Sequence, residues 1–335
     1  MRHPLDLCRQ LIVLTAATMA ASMVAGPAQG QSTDAEFDAL RRAGKAAELE
    51  SLAREKLAKN ARDDVALWHL SGAVVNDPKK RDELIALTER CIADTPRSAR
   101  CHNALGNLYG NVASTSGMAA GLKYAGKVKE HYVTAAEIDP KQFEFRRDLN
   151  QFYLFAPRLM GGGAGKALRG AEDFEKIDRQ RGQVLRAQVQ THEEEFDDAE
   201  ALLGAIKPGT DVALAEAVQD ATSALGIALI DDEQAARARK VFERQIAADP
   251  RYAFAHFGLG RALLELKELD GAIAALELAL QLDPKSRAHY RLGIAYQGKG
   301  DSARALAMFR QFLTYQSQGR AADDARKRIG LLTQA

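Results

Sequence analysis

Residues 225–250 read LGIALIDDEQAARARKVFERQIAADP, and residues 259–284 read LGRALLELKELDGAIAALELALQLDP. The offset is 34 residues. At that offset both begin with Leu-Gly, both carry Ala (Ala238, Ala272) followed four residues later by a large apolar side chain (Phe242, Leu276), and both close on Asp-Pro. A third copy follows in step with Leu292-Gly293, Ala305 and Phe309, without the closing proline. Upstream, Trp68, Gly72, Val75 and Pro96 mark one unit, and His102, Leu105, Gly106 and Tyr109 open the next 34 residues later. Ala187, Ala199 and Leu203 mark a weaker one. A fixed period of this size is the mark of a solenoid, in which each unit buries its apolar face only against its neighbours.

Composition points the same way. Of the 335 residues, 46% are hydrophobic but only 6% aromatic, so Ala and Leu, both strong helix formers, carry most of the apolar content. Strand-type runs of β-branched and aromatic residues are scarce. The chain is expected to be all-α. Lys plus Arg number 46 against 45 Asp plus Glu, a net charge of +1 that argues against nucleic acid as the main partner.

These segments resemble the tetratricopeptide repeat, whose 34-residue unit follows W-x2-L-G-x2-Y…A-x3-F…P. The resemblance implies an α-solenoid of antiparallel helix pairs, about seven to eight here, coiled into a right-handed superhelix. In each pair, Gly226, Gly260 and Gly293 are expected to let Ala238, Ala272 and Ala305 approach closely. Asp-Pro ends the second helix, because the residue before a proline is pushed out of the helical region.

The chain divides accordingly. Residues 1–30 read as a secretory signal peptide: Arg2 and Arg9, an apolar run from Leu11 to Ala25, then Ala28-Gln29-Gly30 as a cleavage site. The apolar run is shorter than a membrane span. Removing residues 1–30 leaves the two signs of charge equal, with no stable membrane insertion expected of the remainder. An Ala- and Arg-rich export substrate fits the periplasm of a Gram-negative bacterium, or secretion. Residues 31–64 form a first hairpin. Residues 65–179 hold repeat-like units, including a long hairpin with a loop-like insertion at 110–121 and an irregular unit with a glycine-rich turn. Residues 180–318 hold repeats, and 319–335 a solvating terminal helix.

No constellation for catalysis emerges. Gly161-Gly162-Gly163-Ala164-Gly165-Lys166-Ala167 invites a phosphate-loop reading, but Met160 stands where the first glycine is needed and Ala167 where a hydroxyl is needed. A turn between helices is the simpler account. His192-Glu193 lacks the second histidine of a zinc-protease helix, since Phe196 occupies its place. His102, His256 and His289 take the place of the repeat's aromatic residue and read as packing residues. Glu193-Glu194-Glu195 and Asp197-Asp198 fall at a hairpin turn, where a solvated charge run is expected. No cofactor, no metal and no enzyme are expected.

Cys91 and Cys101 flank the turn at Thr95-Pro96 on adjacent helices. In an oxidising compartment they suit a disulfide; two small buried thiols are the alternative. The resemblance places a binding groove along the first helices of the pairs. Arg100, Asn103, Asn107 and Asn111 are assigned to it on one helix, the asparagines at steps of four, facing solvent and able to hydrogen-bond an extended peptide backbone. Phe145 and Arg146 follow on the next first helix. Phe254, Phe257, Arg261, Arg287, Tyr290 and Gln297 extend the face toward the C-terminus, with aromatic and Arg side chains of the kind that anchor partners. Ordinary helix surface or packing between units is the competing account. The paired Lys and Arg that clamp a terminal carboxylate are absent. The expected function is a non-catalytic scaffold holding a protein or peptide. The rival is an accessory subunit for a small ligand beside a transporter, with 110–121 and 157–165 closing a deep apolar pocket.

Overall fold

A computed structural model of the chain describes residues 33–284 and 287–334. The expected signal peptide lies outside them. Among the described residues there are seventeen α-helices and no strand. They pair in sequence: α1 (Asp34–Arg42) with α2 (Ala46–Lys59), α3 (Asp64–Val74) with α4 (Pro78–Asp94), α5 (Ala99–Thr115) with α6 (Met118–Ile138), and α7 (Phe143–Phe155) with α8 (Ala164–Glu175). Then come α9 (Arg179–His192) with α10 (Phe196–Ala205), α11 (Val212–Asp231) with α12 (Ala235–Ala248), α13 (Ala253–Glu265) with α14 (Leu269–Leu282), and α15 (Ala288–Gly298) with α16 (Ser302–Tyr315). The last helix, α17 (Arg320–Gln334), closes the stack.

The helix ends follow local chemistry. Asp63, Ser98, Asp178, Asp211 and Asp301 each accept a hydrogen bond from a first-turn backbone N–H, the N-cap that satisfies an otherwise orphan donor. At the Asp-Pro steps, Asp139, Asp249 and Asp283 sit in non-helical conformations with ψ of 85°, 94° and 98°, so the helix stops one residue before the proline. His102 and His256 then bind back to the carbonyls of Pro96 and Pro250, at 3.1 and 2.9 Å. These histidines are packing residues that also fix the turn.

At Gly260 a Cβ would stand 3.3 Å from the Ala272 carbonyl oxygen, the close approach expected, but the nearest neighbour of each repeat glycine is the large residue. A Cβ on Gly226 would stand 2.6 Å from the Phe242 ring, and one on Gly293 would stand 2.5 Å from Phe309. The space left by hydrogen is filled by the large residue four after the alanine. Gly258 faces the same Phe242 ring from the next unit, where a Cβ would come within 2.2 Å. Phe242 is fully buried between the two glycines. The Ala-x3-Phe spacing therefore places one aromatic ring against two successive units.

Cys91, in the last turn of α4, and Cys101, in the first turn of α5, form a disulfide with Cα atoms 6.3 Å apart. It ties the second helix of one pair to the first helix of the next. The terminal helix is more than a solvating cap. Ala322 and Ala325 are buried, and α17 occupies the place a ninth first helix would take against α15 and α16. The loop-like insertion at 110–121 is mostly helical: α5 runs to Thr115, and the turn is confined to Ser116 and Gly117.

Helix α11 is long and apolar enough to cross a membrane by length and composition. Its Leu214, Ala217, Ala221, Leu225 and Leu229 are instead buried in a shared core with α9, α10 and α12. It has 20 residues where α13 has 13, and the added turns at its start carry Glu216 and Asp220.

Candidate functional site on the inner face

The first helices of the N-terminal pairs and α11 share an interior. A cavity of about 490 Å³ is walled by residues of α1, α3, α5, α7 and α11, among them Arg41, Trp68, Asn107, Arg147, Asp148, Glu216 and Asp220. Helix α1 crosses to α11, where Arg41 and Arg42 each meet Glu216 at 2.8 Å. Burial opposes ionisation of Glu216, yet the hydrogen bonds from the two guanidinium groups hold its carboxyl below the usual carboxylate range. At the other end of α1, Asp34 meets His69 at 3.1 Å and Arg100 at 2.7 Å. Its carboxyl is also held low, first by the His69 hydrogen bond and then, against burial, by Arg100. Asp220 goes the other way: burial raises it, with Arg147 opposing.

This interior corrects the assignment of the asparagines. Asn103 is completely buried. Its Oδ1 accepts the Trp68 indole N–H at 2.7 Å, and its Nδ2 donates to Asp148 at 3.0 Å. Asn107 donates to both Asn103 and Asp148 and accepts the Tyr132 hydroxyl at 2.7 Å. Asn111 accepts from Arg81 and donates to Asn76. The three do share a helix face, but that face packs against α3, α6 and α7. The Asn103 and Asn107 amides are consumed inside the protein, and that of Asn111, nearer the surface, is bonded to Arg81 and Asn76.

Other assigned groove residues are also engaged. Arg100 is held by Asp34, and Arg261 by Asp231 at 2.9 Å. Tyr290 donates to Asp324 of α17 at 2.7 Å and packs on Phe309 and Phe312, while Gln297 accepts from Arg328 at 2.8 Å. The terminal helix therefore covers the face on which Tyr290 and Gln297 were expected to be open. Phe145 is buried beside Trp68. Phe254 remains exposed, its ring tilted at 55° to that of the half-buried Phe257 and 5.7 Å from it, and Arg287 is exposed at the start of α15.

A second opening lies where α7, α9 and α11 end. This trough, about 530 Å³, has an apolar floor of Leu154, Phe196, Ala224, Ile227 and Ala228, and polar walls that include Gln151, Gln188, Thr191, His192, Glu194 and Asp231. Gln188 Oε1 is buried there without a hydrogen-bond partner. A buried acceptor left unpaired is costly unless something donates to it. The Phe155 ring stands edge-on to His192 at 5.6 Å and forms one wall. The sequence reading missed this trough, because α9 belongs to the unit with the weakest repeat signature. No residue from 110–121 or 157–165 lines either opening.

The glycine run is a turn. Gly161 and Gly163 have φ of 98° and 141°, and a Cβ on Gly162 would lie 1.7 Å from the Ala156 carbonyl oxygen. Lys166 donates to the Gly161 carbonyl at 2.8 Å, closing the turn on itself. Among the described residues, no group of three or more His, Cys, Asp or Glu side chains is placed to hold a metal ion.

Comparison with known proteins agrees with this architecture. Family models of the tetratricopeptide repeat match residues 223–287 and 287–318. No curated protein matches the sequence. Among solved structures, yeast Tom70 superposes with a TM-score of 0.58 at 15% identity, over 87% of this chain and 58% of Tom70. A chain of the APC/C hetero-tetramer Cut9–Hcn1 superposes with a TM-score of 0.50 at 14% identity, over 88% of this chain and 54% of that one. The chain thus spans little more than half the length of either. At these identities the likeness is one of fold. Residues 223–318 are thus tetratricopeptide repeats, set among seventeen described helices that carry the same paired architecture through the rest of the described chain.

Proposed function

We propose that this chain is an exported scaffold that holds an extended segment of a partner protein against the inner face of its central and C-terminal units. The observation that carries the reading is the trough at the ends of α7, α9 and α11, where an apolar floor meets the unpartnered Gln188 carbonyl oxygen. A peptide backbone N–H would satisfy that acceptor, and apolar side chains would fill the floor. On α13 the exposed Phe254 and the half-buried Phe257 would serve as further aromatic anchors. The setting we propose is the bacterial cell envelope. The leader-like residues 1–30 support it, as does a disulfide that suits an oxidising compartment.

The test is capture of partners from an envelope extract by the wild-type protein and by variants. Gln188→Ala with Phe257→Ala should weaken capture by at least about tenfold, since a lost aromatic anchor alone typically costs about 2 kcal/mol. Undiminished capture would refute the assignment. N-terminal sequencing should begin near Gln31, and an intact Met1 would remove the export part of the reading.

A second reading rests on the inner cavity. It is walled on one side by α1 and lined by both signs of charge around Trp68, which suits a small zwitterionic ligand of the kind an accessory subunit beside a transporter would carry. Binding of such a ligand would quench Trp68, the chain's one tryptophan, without disturbing partner capture.

A further inference from the structure

One surface serves neither opening. The stretch from Ser116 to Gly121, where α5 turns into α6, and the turn after α7 come together on one flank of the solenoid. A Cβ on Gly121 would stand 3.9 Å from Met160 Cε, and one on Gly161 would stand 3.1 Å from Lys129 Cδ. On α6, Met118, Leu122 and Lys129 lie within about 40° of one another around the helix axis, so the face bearing Met118 and Leu122 is the face that Lys129 presses on the turn. The turn itself carries Leu159. Met118 is 82% exposed, Leu122 57% and Leu159 91%.

Single exposed apolar residues are ordinary. The setting of these three is not. Segments 110–129 and 156–170 contain six basic residues, Lys123, Lys127, Lys129, Arg158, Lys166 and Arg169, and no acidic residue, in a chain whose net charge is only +1. Elsewhere Lys and Arg are widely paired with carboxylates, but among the described residues none of these six is in an ion pair. Lys123 and Lys127 lie over the rings of Tyr124 and Tyr109, and Lys166 holds the Gly161 carbonyl. The flank therefore presents protruding apolar tips beside cations that are in no ion pair.

We propose that this flank docks the protein on an anionic phospholipid surface. Met118, Leu122 and Leu159 enter the headgroup boundary, and Lys123, Lys127 and Arg158 lie at the phosphates. Protruding side chains suit a fluid interface, which receives them without a complementary pocket. Anchors for a protein partner are more often set in well-packed, desolvated sites. The attraction is peripheral and reversible: a few buried methylenes and cations contribute enough to hold the protein only together. The proposal does not depend on the trough, since neither Phe155 nor Gln188 belongs to the flank.

The experiment is co-sedimentation of the full processed chain with vesicles of equal parts phosphatidylcholine and phosphatidylglycerol, and with phosphatidylcholine alone. The wild type should pellet with the anionic vesicles and be released by salt. Met118→Ser/Leu122→Ser/Leu159→Ser should lower the partition coefficient by roughly tenfold or more, and so should Lys123→Glu/Arg158→Glu. Circular dichroism should show both variants folded, because the altered side chains face water. If one variant fails to fold, the other still decides. Equal pelleting with neutral vesicles, no pelleting at all, or pelleting untouched by both variants would overturn the proposal. So would a wild type that ignores vesicles but binds polyglutamate through the same residues, which would make the flank a protein-docking surface.

Discussion

Replacing Asn103 with alanine should destabilise the N-terminal half of the solenoid severely. Asn103 has no exposed surface and bridges three elements: it accepts from Trp68 on α3, accepts from Asn107 on its own helix and donates to Asp148 on α7. The substitution strands the Trp68 indole N–H in a half-buried site, at a cost of about 1–3 kcal/mol. It also removes one of the donors to Asp148, and a hydrogen bond to a charged group is worth about 1.5–3 kcal/mol. Asn107 can still donate to Asp148, so the two costs overlap. The expected loss is about 2–4 kcal/mol. The assay is urea unfolding followed by Trp68 fluorescence and by circular dichroism. The fluorescence midpoint should fall well below the dichroism midpoint of the C-terminal units, because a solenoid couples each unit only to its neighbours. Asn111→Ala, whose partners Arg81 and Asn76 are near the surface, should cost less than about 1 kcal/mol. If Asn103→Ala unfolds within about 0.5 kcal/mol of wild type, the asparagine faces water after all and the buried network is wrong.

Three further outcomes are expected. Gly258→Ala should cost about 2–3 kcal/mol, since its Cβ would fall within 2.2 Å of the Phe242 ring and neither helix can yield alone; an unchanged melting temperature would contradict that packing. Cys91→Ser/Cys101→Ser should lower stability by about 2–3 kcal/mol through loop-closure entropy, and intact-mass analysis with thiol labelling should show no free thiol in the native wild type. The clamp of Arg41 and Arg42 on Glu216 should open in acid. The folded pKa of Glu216 is depressed, so the contact contributes fully above the ordinary glutamate value of 4.5 and is lost as pH falls through the lowered value; Glu216→Gln should open it at every pH, read as faster amide exchange in α2 and α3, and protection equal to wild type at neutral pH would refute the clamp.

Much of the fold was legible because the repeat states its physics locally. Leu-Gly, Ala-x3-Phe and Asp-Pro each encode a close approach, a filler and a stop, and they recur at one period. The binding face was less legible, for a reason visible in the pairs themselves. Trp68 meets Asn103, His69 meets Asp34 and Tyr290 meets Asp324, at separations of 35, 35 and 34 residues. Polar residues one period apart face each other across neighbouring units. Asn103 and Tyr290, taken one helix at a time, hide their partners in the adjoining unit, and Arg100 reaches Asp34 across two periods, 66 residues away. Scanning for donor and acceptor pairs at the repeat offset would have found them. The contact of α1 with α11, 174 residues apart at Arg42 and Glu216, leaves no such periodic mark. It depends on the accumulated curvature of the stack.

The central claim is that partners are held on the inner face. A photo-crosslinking side chain placed at Gln188 or Phe257, and separately at the exposed Leu278 on the outer helix α14, tests it most directly in the cell that exports the protein. Covalent adducts with a partner from Gln188 and Phe257, and none from Leu278, are the result expected. Adducts from Leu278 with none from the other two would place the partner on the outer face and contradict the account.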